Sequence, residues 1–262
     1  MRPHLIKLSR CAILACAILA GPATGLSAQR ISPTLQLAGA SQLRGINAQD
    51  ERTVLVIGSA LIMASILPDV LGRELPYARC APCDSTRVPT WGIDRIAVGP
   101  YRGFWSDISW FTLIATMGGA LWLVGEGDDG IPASNDRDPD NISLMYVGLT
   151  TAAATTWLKI LVHRPRPIRY TAEAQQYAGR DNGRSFPSGH AAGAFAMAAG
   201  ATALLAMKDS ARSRIPTIVM LFSGATATAA LRVAAHRHFP TDVLAGAILG
   251  TTIGFLVPRI TR

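Results

Sequence analysis

Charge is what this sequence is short of. Asp, Glu, Lys and Arg make up 16% of its 262 residues against 49% hydrophobic, and the mean hydropathy is +0.27. An ordinary soluble domain is about one quarter charged, so that class is a poor match and a membrane bundle a better one. Cysteine is also scarce. Of four residues, Cys11 and Cys16 fall in an N-terminal apolar run, which leaves Cys80 and Cys83. A single Cys-x-x-Cys is at most half of a metal site, and no βαβ pattern surrounds it to make a redox motif. A small disulfide in an oxidising compartment is the reading carried forward. No basic stretch is interleaved with aromatics. The net charge of +8 therefore points away from nucleic acid and toward anionic headgroups and a phosphorylated substrate.

Long apolar runs are abundant. Arg2, Lys7 and Arg10 precede the run from Cys11 to Ala20 and small residues follow, so residues 1–28 read as a signal peptide, cleaved after Ala28, or an uncleaved N-terminal anchor. Residues 29–50 read as a linker, and 51–262 as one membrane domain. Stretches near the roughly 20-residue spanning length occur at 53–72, 107–125, 142–162, 187–207, 215–235 and 241–258. The expected fold is all-α, a polytopic bundle of about six spanning helices. Gly246, Gly250 and Gly254 repeat every fourth residue, a spacing that permits close helix approach; ordinary packing accounts for it. The acidic loop Glu126 to Asp140 reads as solvated.

Three polar islands interrupt the apolar C-terminal half. They are Lys159 to Arg166-Pro167, then Pro187-Ser188-Gly189-His190, then Arg232 followed by His238 and Asp242. With an even number of spans, the loops after the first, third and fifth share one membrane face, and all three islands lie on it. Phosphoryl transfer needs cations around the non-bridging oxygens, an in-line attacking group and a proton donor for the leaving oxygen. Lys159, Arg166 and Arg232 supply charge, the arginines as two-toothed forks. His238 and Asp242 are four apart; on a helix the carboxylate would face the imidazole and accept its ring N–H, freeing the other nitrogen for attack. Pro187, at a first helical position, would open a helix whose free amides, with the Ser188 hydroxyl, cradle an oxyanion. Gly189 permits close approach, and His190 is placed to protonate the leaving group. Arg164, Arg169, Arg180 and Arg184 fall in no slot of this pattern and are expected to face solvent or headgroups. His163 and His236 are expected to be bystanders.

At these residues the chain resembles the type 2 phosphatidic acid phosphatase and vanadium haloperoxidase superfamily. That family's signature is Lys, six residues, Arg-Pro; then Pro-Ser-Gly-His; then Ser-Arg, five residues, His, three residues, Asp. The spacing is kept throughout, and one position departs, with Leu231 where the family has Ser. The resemblance implies a metal-independent hydrolase without cofactor. His238 would form a phosphohistidine, Asp242 orient and balance it, His190 act as acid, and Lys159, Arg166, Ser188, Gly189 and Arg232 hold the phosphate.

The expected activity is hydrolysis of a phosphomonoester or diphosphate, on a lipid in the bilayer. The alternatives are a vanadium-dependent haloperoxidase and a non-catalytic membrane scaffold or transporter. The expected site is a bacterial-type cytoplasmic membrane. The signals for sidedness conflict: arginine-rich loops and the leader point to the cytoplasm, the resemblance points to the outer face, and the outer face is the expectation adopted.

Overall fold

The computed structural model describes residues 77–84, 92–125, 139–208 and 214–261, with isolated helical residues between 56 and 70. The expected leader or anchor (1–28), the linker (29–50) and most of the first span (53–72) lie outside the described residues.

Five helices follow: α1 (Gly103–Gly125), α2 (Pro139–Val162), α3 (Gly189–Met207), α4 (Ile215–Ala234) and α5 (Pro240–Thr261). Among the described residues there is no strand. All five helices are long and apolar enough to cross a membrane, and they match the last five expected spans to within a few residues. The chain is an all-α, multi-pass membrane protein.

Local sequence explains where the helices begin and end. Pro139 and Pro240 open α2 and α5, where a missing N–H costs nothing, and Asp140 and Asp242 sit in the first turns, where the helix dipole favours an anion. Just beyond the ends of α2 and α4, His163 and His236 take φ of 37° and 55°. This is the left-handed region that closes helices, and histidine is among the few non-glycine residues enriched there. The supposed bystanders are thus the stops that turn the chain into two motif loops. Past the second stop, the Arg232 carbonyl accepts from the amides of both Arg237 (3.1 Å) and His238 (3.3 Å).

Helix α3 packs against all four others, and the core around it includes Leu113, Leu144, Val147, Met197, Leu204 and Leu221. Against α5 the approach is closest. A Cβ on Gly250 would stand 2.1 Å from the Ala192 carbonyl oxygen, and one on Gly254 2.4 Å from that of Ala196. The glycine stripe is therefore an intramolecular seam. Large apolar side chains, among them Phe111, Leu161, Val219, Ile248 and Ile260, cover the outside, which suits hydrocarbon.

Both ends of the bundle are polar. At one, Lys208 Nζ bonds the Val124 carbonyl (2.6 Å) and pairs with Asp140 (3.2 Å). Asp140 is buried, contrary to the solvated loop expected, because as the start of α2 it meets the end of α3; residues 126–138 lie outside the described residues. The other end holds the motifs.

Candidate active site

The last turn of α2 supplies Lys159, whose Nζ donates to the Arg184 carbonyl (3.3 Å). Its side chain lies beside Gly189, where a Cβ would sit 3.9 Å from Lys159 Cε. After the His163 stop, Pro165 and Pro167 hold the chain extended around Arg166, which is buried. Its Nη1 contacts His238 Nε2 (3.1 Å) and the Arg237 carbonyl (3.1 Å). Its Nε and Nη2 reach the carbonyl (2.9 Å) and carboxylate (2.8 Å) of Asp181. Asp181 also pairs with Arg237 (3.0 Å). The Arg166 guanidinium beside Asp181 holds that carboxyl well below the usual carboxylate range, and burial followed by Arg166 brings Arg237 down to about 10. Asp181 and Arg237 therefore stay ionised at neutral pH.

The second island starts α3 two residues later than expected. Pro187, after a cis bond, stays outside the helix; Ser188 is the N-cap and Gly189 the first helical residue. The Ser188 hydroxyl accepts from the Ala191 amide (3.4 Å) and its carbonyl from Ala192 (2.9 Å). The amides of Gly189 and His190 precede the first helical bond, so the helix ladder does not use them and they are the kind of donors that can take an anion. His190 lies edge-on to Trp110 at 4.3 Å between ring centroids, and its buried Nε2 makes no hydrogen bond.

Arg232 is 3% exposed, at the end of α4. Its Nη1 donates to the hydroxyls of Ser106 (3.2 Å) and Ser109 (3.1 Å) on α1, while its Nε is buried without a partner. His238 sits in the loop before α5 and Asp242 in that helix's first turn, so the pair meets across a loop and a helix start rather than on one helix face. The direct contact is correspondingly long, 3.7 Å from Nδ1 to Oδ2, beyond hydrogen-bond range. Asp242 is instead held by Arg164 Nη1 (2.6 Å), the Ser185 hydroxyl (2.6 Å) and the Phe239 amide (3.0 Å). Because an arginine N–H can only donate, Nε2 of His238 is the acceptor and the ring proton is on Nδ1. Burial, and then Arg166, Lys159, Arg232 and His190 in turn, keep this imidazole well below the ordinary histidine range. It is a neutral ring with its lone pair aimed among cations.

Three of the arginines expected to face outward do not. Arg164 bridges Asp242 and Asp94 (2.7 Å) and lies over the Phe239 ring at 4.1 Å. Arg169 is fully buried and donates to the carbonyls of Cys80, Ala178 and Gly179, and Arg184 is buried. The Arg180 side chain lies outside the described residues. Carboxylates draw Arg164 inward, and backbone carbonyls draw Arg169. Arg169 also fixes the segment 77–84, in which Cys80 and Cys83 form a disulfide.

Asp94, Ser106, Ser109 and Trp110 escape sequence reading because each lies far from the motif it touches. Asp94 is fully buried and accepts from the Thr241 amide (3.1 Å) and hydroxyl (2.7 Å), 147 residues away. Ser185 and Arg164 had a weak signal, their adjacency to Pro187 and Arg166. Leu231, where a serine was expected, is half-buried on α4. Among the described residues, no group of His, Cys, Asp and Glu is arranged to hold a metal ion.

The fold and site define a helical membrane protein whose motif histidines, arginines and lysine gather at one end of the bundle. Residues 141–262, which contain every motif residue, match the model of the PAP2 superfamily, consistent with a resemblance to the type 2 phosphatidic acid phosphatases. At the level of class this means phosphatase-type, phosphoester-hydrolysing chemistry. No curated protein and no solved structure matches the chain.

Proposed function

We propose that the protein hydrolyses a phosphomonoester or diphosphate borne by a lipid, through a phosphohistidine on His238. The observation that supports this best is the Nε2 lone pair of His238, buried and directed at Arg166, with Lys159, Arg232 and His190 close enough to act on the ring. In the first step Nε2 attacks phosphorus as the bond to the leaving oxygen breaks, and His190 gives that oxygen a proton. Lys159, Arg166, Arg232 and the amides of Gly189 and His190 hold the non-bridging oxygens, with Ser188 fixing the helix start that presents those amides. Asp242 balances the imidazolium. In the second step His190, now neutral, takes a proton from water as its oxygen attacks phosphorus, releasing phosphate and restoring His238.

The apolar exterior of the five helices supports an amphiphilic substrate, since a pocket at a helix end lies near headgroup depth. The disulfide supports an oxidising compartment, and with it a cytoplasmic membrane of bacterial type with this face outward. The test is incubation of purified protein with lipids labelled at the terminal phosphate, followed by quenching. Acid-labile phosphate on the wild type and none on His238→Ala, with turnover falling at least about a thousandfold, is expected for loss of a covalent nucleophile. A His238→Ala protein with a tenth of normal activity would end the proposal.

A further inference from the structure

We infer that Ser185 is a positioning residue that links His238 to Asp242 through its hydroxyl, in place of a direct carboxylate–imidazole bond. The inference rests on the phosphohistidine reading. Three observations support it. Arg166 donates to Nε2 (3.1 Å), which puts the ring proton on Nδ1. That proton needs an acceptor in a pocket where His238 is 1% and Ser185 0% exposed; the Ser185 oxygen is 3.4 Å from Nδ1 and Asp242 Oδ2 is 3.7 Å away. The Ser185 proton is committed to Oδ2 at 2.6 Å, so the hydroxyl oxygen is left to accept.

The chain Nδ1–H to Oγ, Oγ–H to Oδ2 runs in one direction, each group using its single proton. Its far end is fixed by Arg164 on Oδ1 and the Phe239 amide on Oδ2. Arg164 is itself held by Asp94. When attack makes the ring cationic, Nδ1–H becomes a stronger donor and both bonds shorten, so the hydroxyl passes the carboxylate's stabilisation on without taking a charge. No proton transfers and nothing is oxidised. Ser185 touches no expected phosphate ligand, so its effect should fall on the chemical step and leave binding alone.

The experiment compares Ser185→Ala, Ser185→Thr, Asp242→Asn and Ser185→Ala/Asp242→Asn with wild type on one lipid phosphate. The expected result for Ser185→Ala is a fall in kcat of about tenfold or more with KM within about twofold, and near-complete rescue by threonine, which keeps the hydroxyl. The double variant should be no slower than Asp242→Asn alone, because both changes cut one link. Wild-type kcat in Ser185→Ala, a loss confined to KM, or multiplying losses in the double variant would each overturn the inference. If the alanine variant does not fold, Ser185→Cys, which keeps the shape with a weaker donor, replaces it. Cysteine then has to be slow and threonine fast, and equal rates would overturn the inference. Absence of acid-labile phosphate on the wild type would instead overturn the phosphohistidine reading itself; its presence alongside an unimpaired Ser185→Ala would sink the relay alone.

Discussion

His190 and His238 lie at the same end of the bundle, and their surroundings differ. His238 has a donor on Nε2 and an acceptor chain on Nδ1, while His190 meets the Trp110 indole in an edge-to-ring contact and has an unbonded Nε2. A ring so placed can deliver a proton to whatever oxygen arrives. If that is its role, His190→Ala should slow alkyl phosphates at least about tenfold more than p-nitrophenyl phosphate, whose leaving group hardly needs protonation. Equal losses in a side-by-side assay would make His190 a phosphate ligand only. The pH dependence follows from His238. Attack needs the neutral ring, and burial with Arg166 keeps the ring neutral to well below the ordinary range. The acid limb of kcat/KM should therefore lie below the ordinary histidine value of about 6.5; a limb at or above that value, in a full pH–rate profile, would contradict the assignment.

At the scale of elements, the seam between α3 and α5 sets the site. Ser188 donates its amide to the Asp242 carbonyl (3.0 Å), so the starts of these helices, carrying Pro-Ser-Gly-His and Asp242, are fastened together by the same packing that brings Gly250 against Ala192. In an unconstrained helix, replacing glycine by alanine gains about 1 kcal/mol. At Gly250 the new Cβ would lie 2.1 Å from a backbone oxygen, so the sign should reverse to a loss of about 1–3 kcal/mol, with activity falling as the helix starts separate. Gly118→Ala on α1, where nothing lies within 4 Å, is the control. Thermal inactivation in detergent distinguishes the two, and a Gly250→Ala protein as durable as wild type would refute the packing argument. Spans and seam were legible in the sequence because hydropathy and a four-residue glycine repeat are local. The helix ends were less so. His163 and His236 stand where glycine is the usual stop, and the cap at Ser188 displaced Pro187 from the helix.

For the whole molecule, the proposed function predicts that the motif-bearing face meets an oxidising compartment. The segment 77–84 lies on that face, bonded through Arg169 and the Ala78–Gly183 backbone contact, so its thiol state reports the compartment. In a Cys11→Ser/Cys16→Ser background, intact cells treated with a membrane-impermeant thiol reagent should label only after reduction. No labelling of intact cells, with ready labelling after lysis without reductant, would put the face in the cytoplasm. The motif residues were legible at this scale because their spacing is fixed, and the structure gathers them at one end of the bundle. What escaped the sequence is the set of braces, since nothing in the spacing of Asp94, Ser106, Ser109 and the motif arginines announces contacts across more than a hundred residues.

Arg232 is the clearest of these cases. Its guanidinium belongs to the segment matching the superfamily, but the two hydroxyls that hold it are on α1, outside that segment. The portable part of the protein is therefore not self-sufficient. Transplanted behind a different first half, residues 141–262 would bring every motif residue along but leave Arg232 without Ser106 and Ser109 and Arg164 without Asp94, so that exchange between relatives would have to move α1 and α4 as a pair.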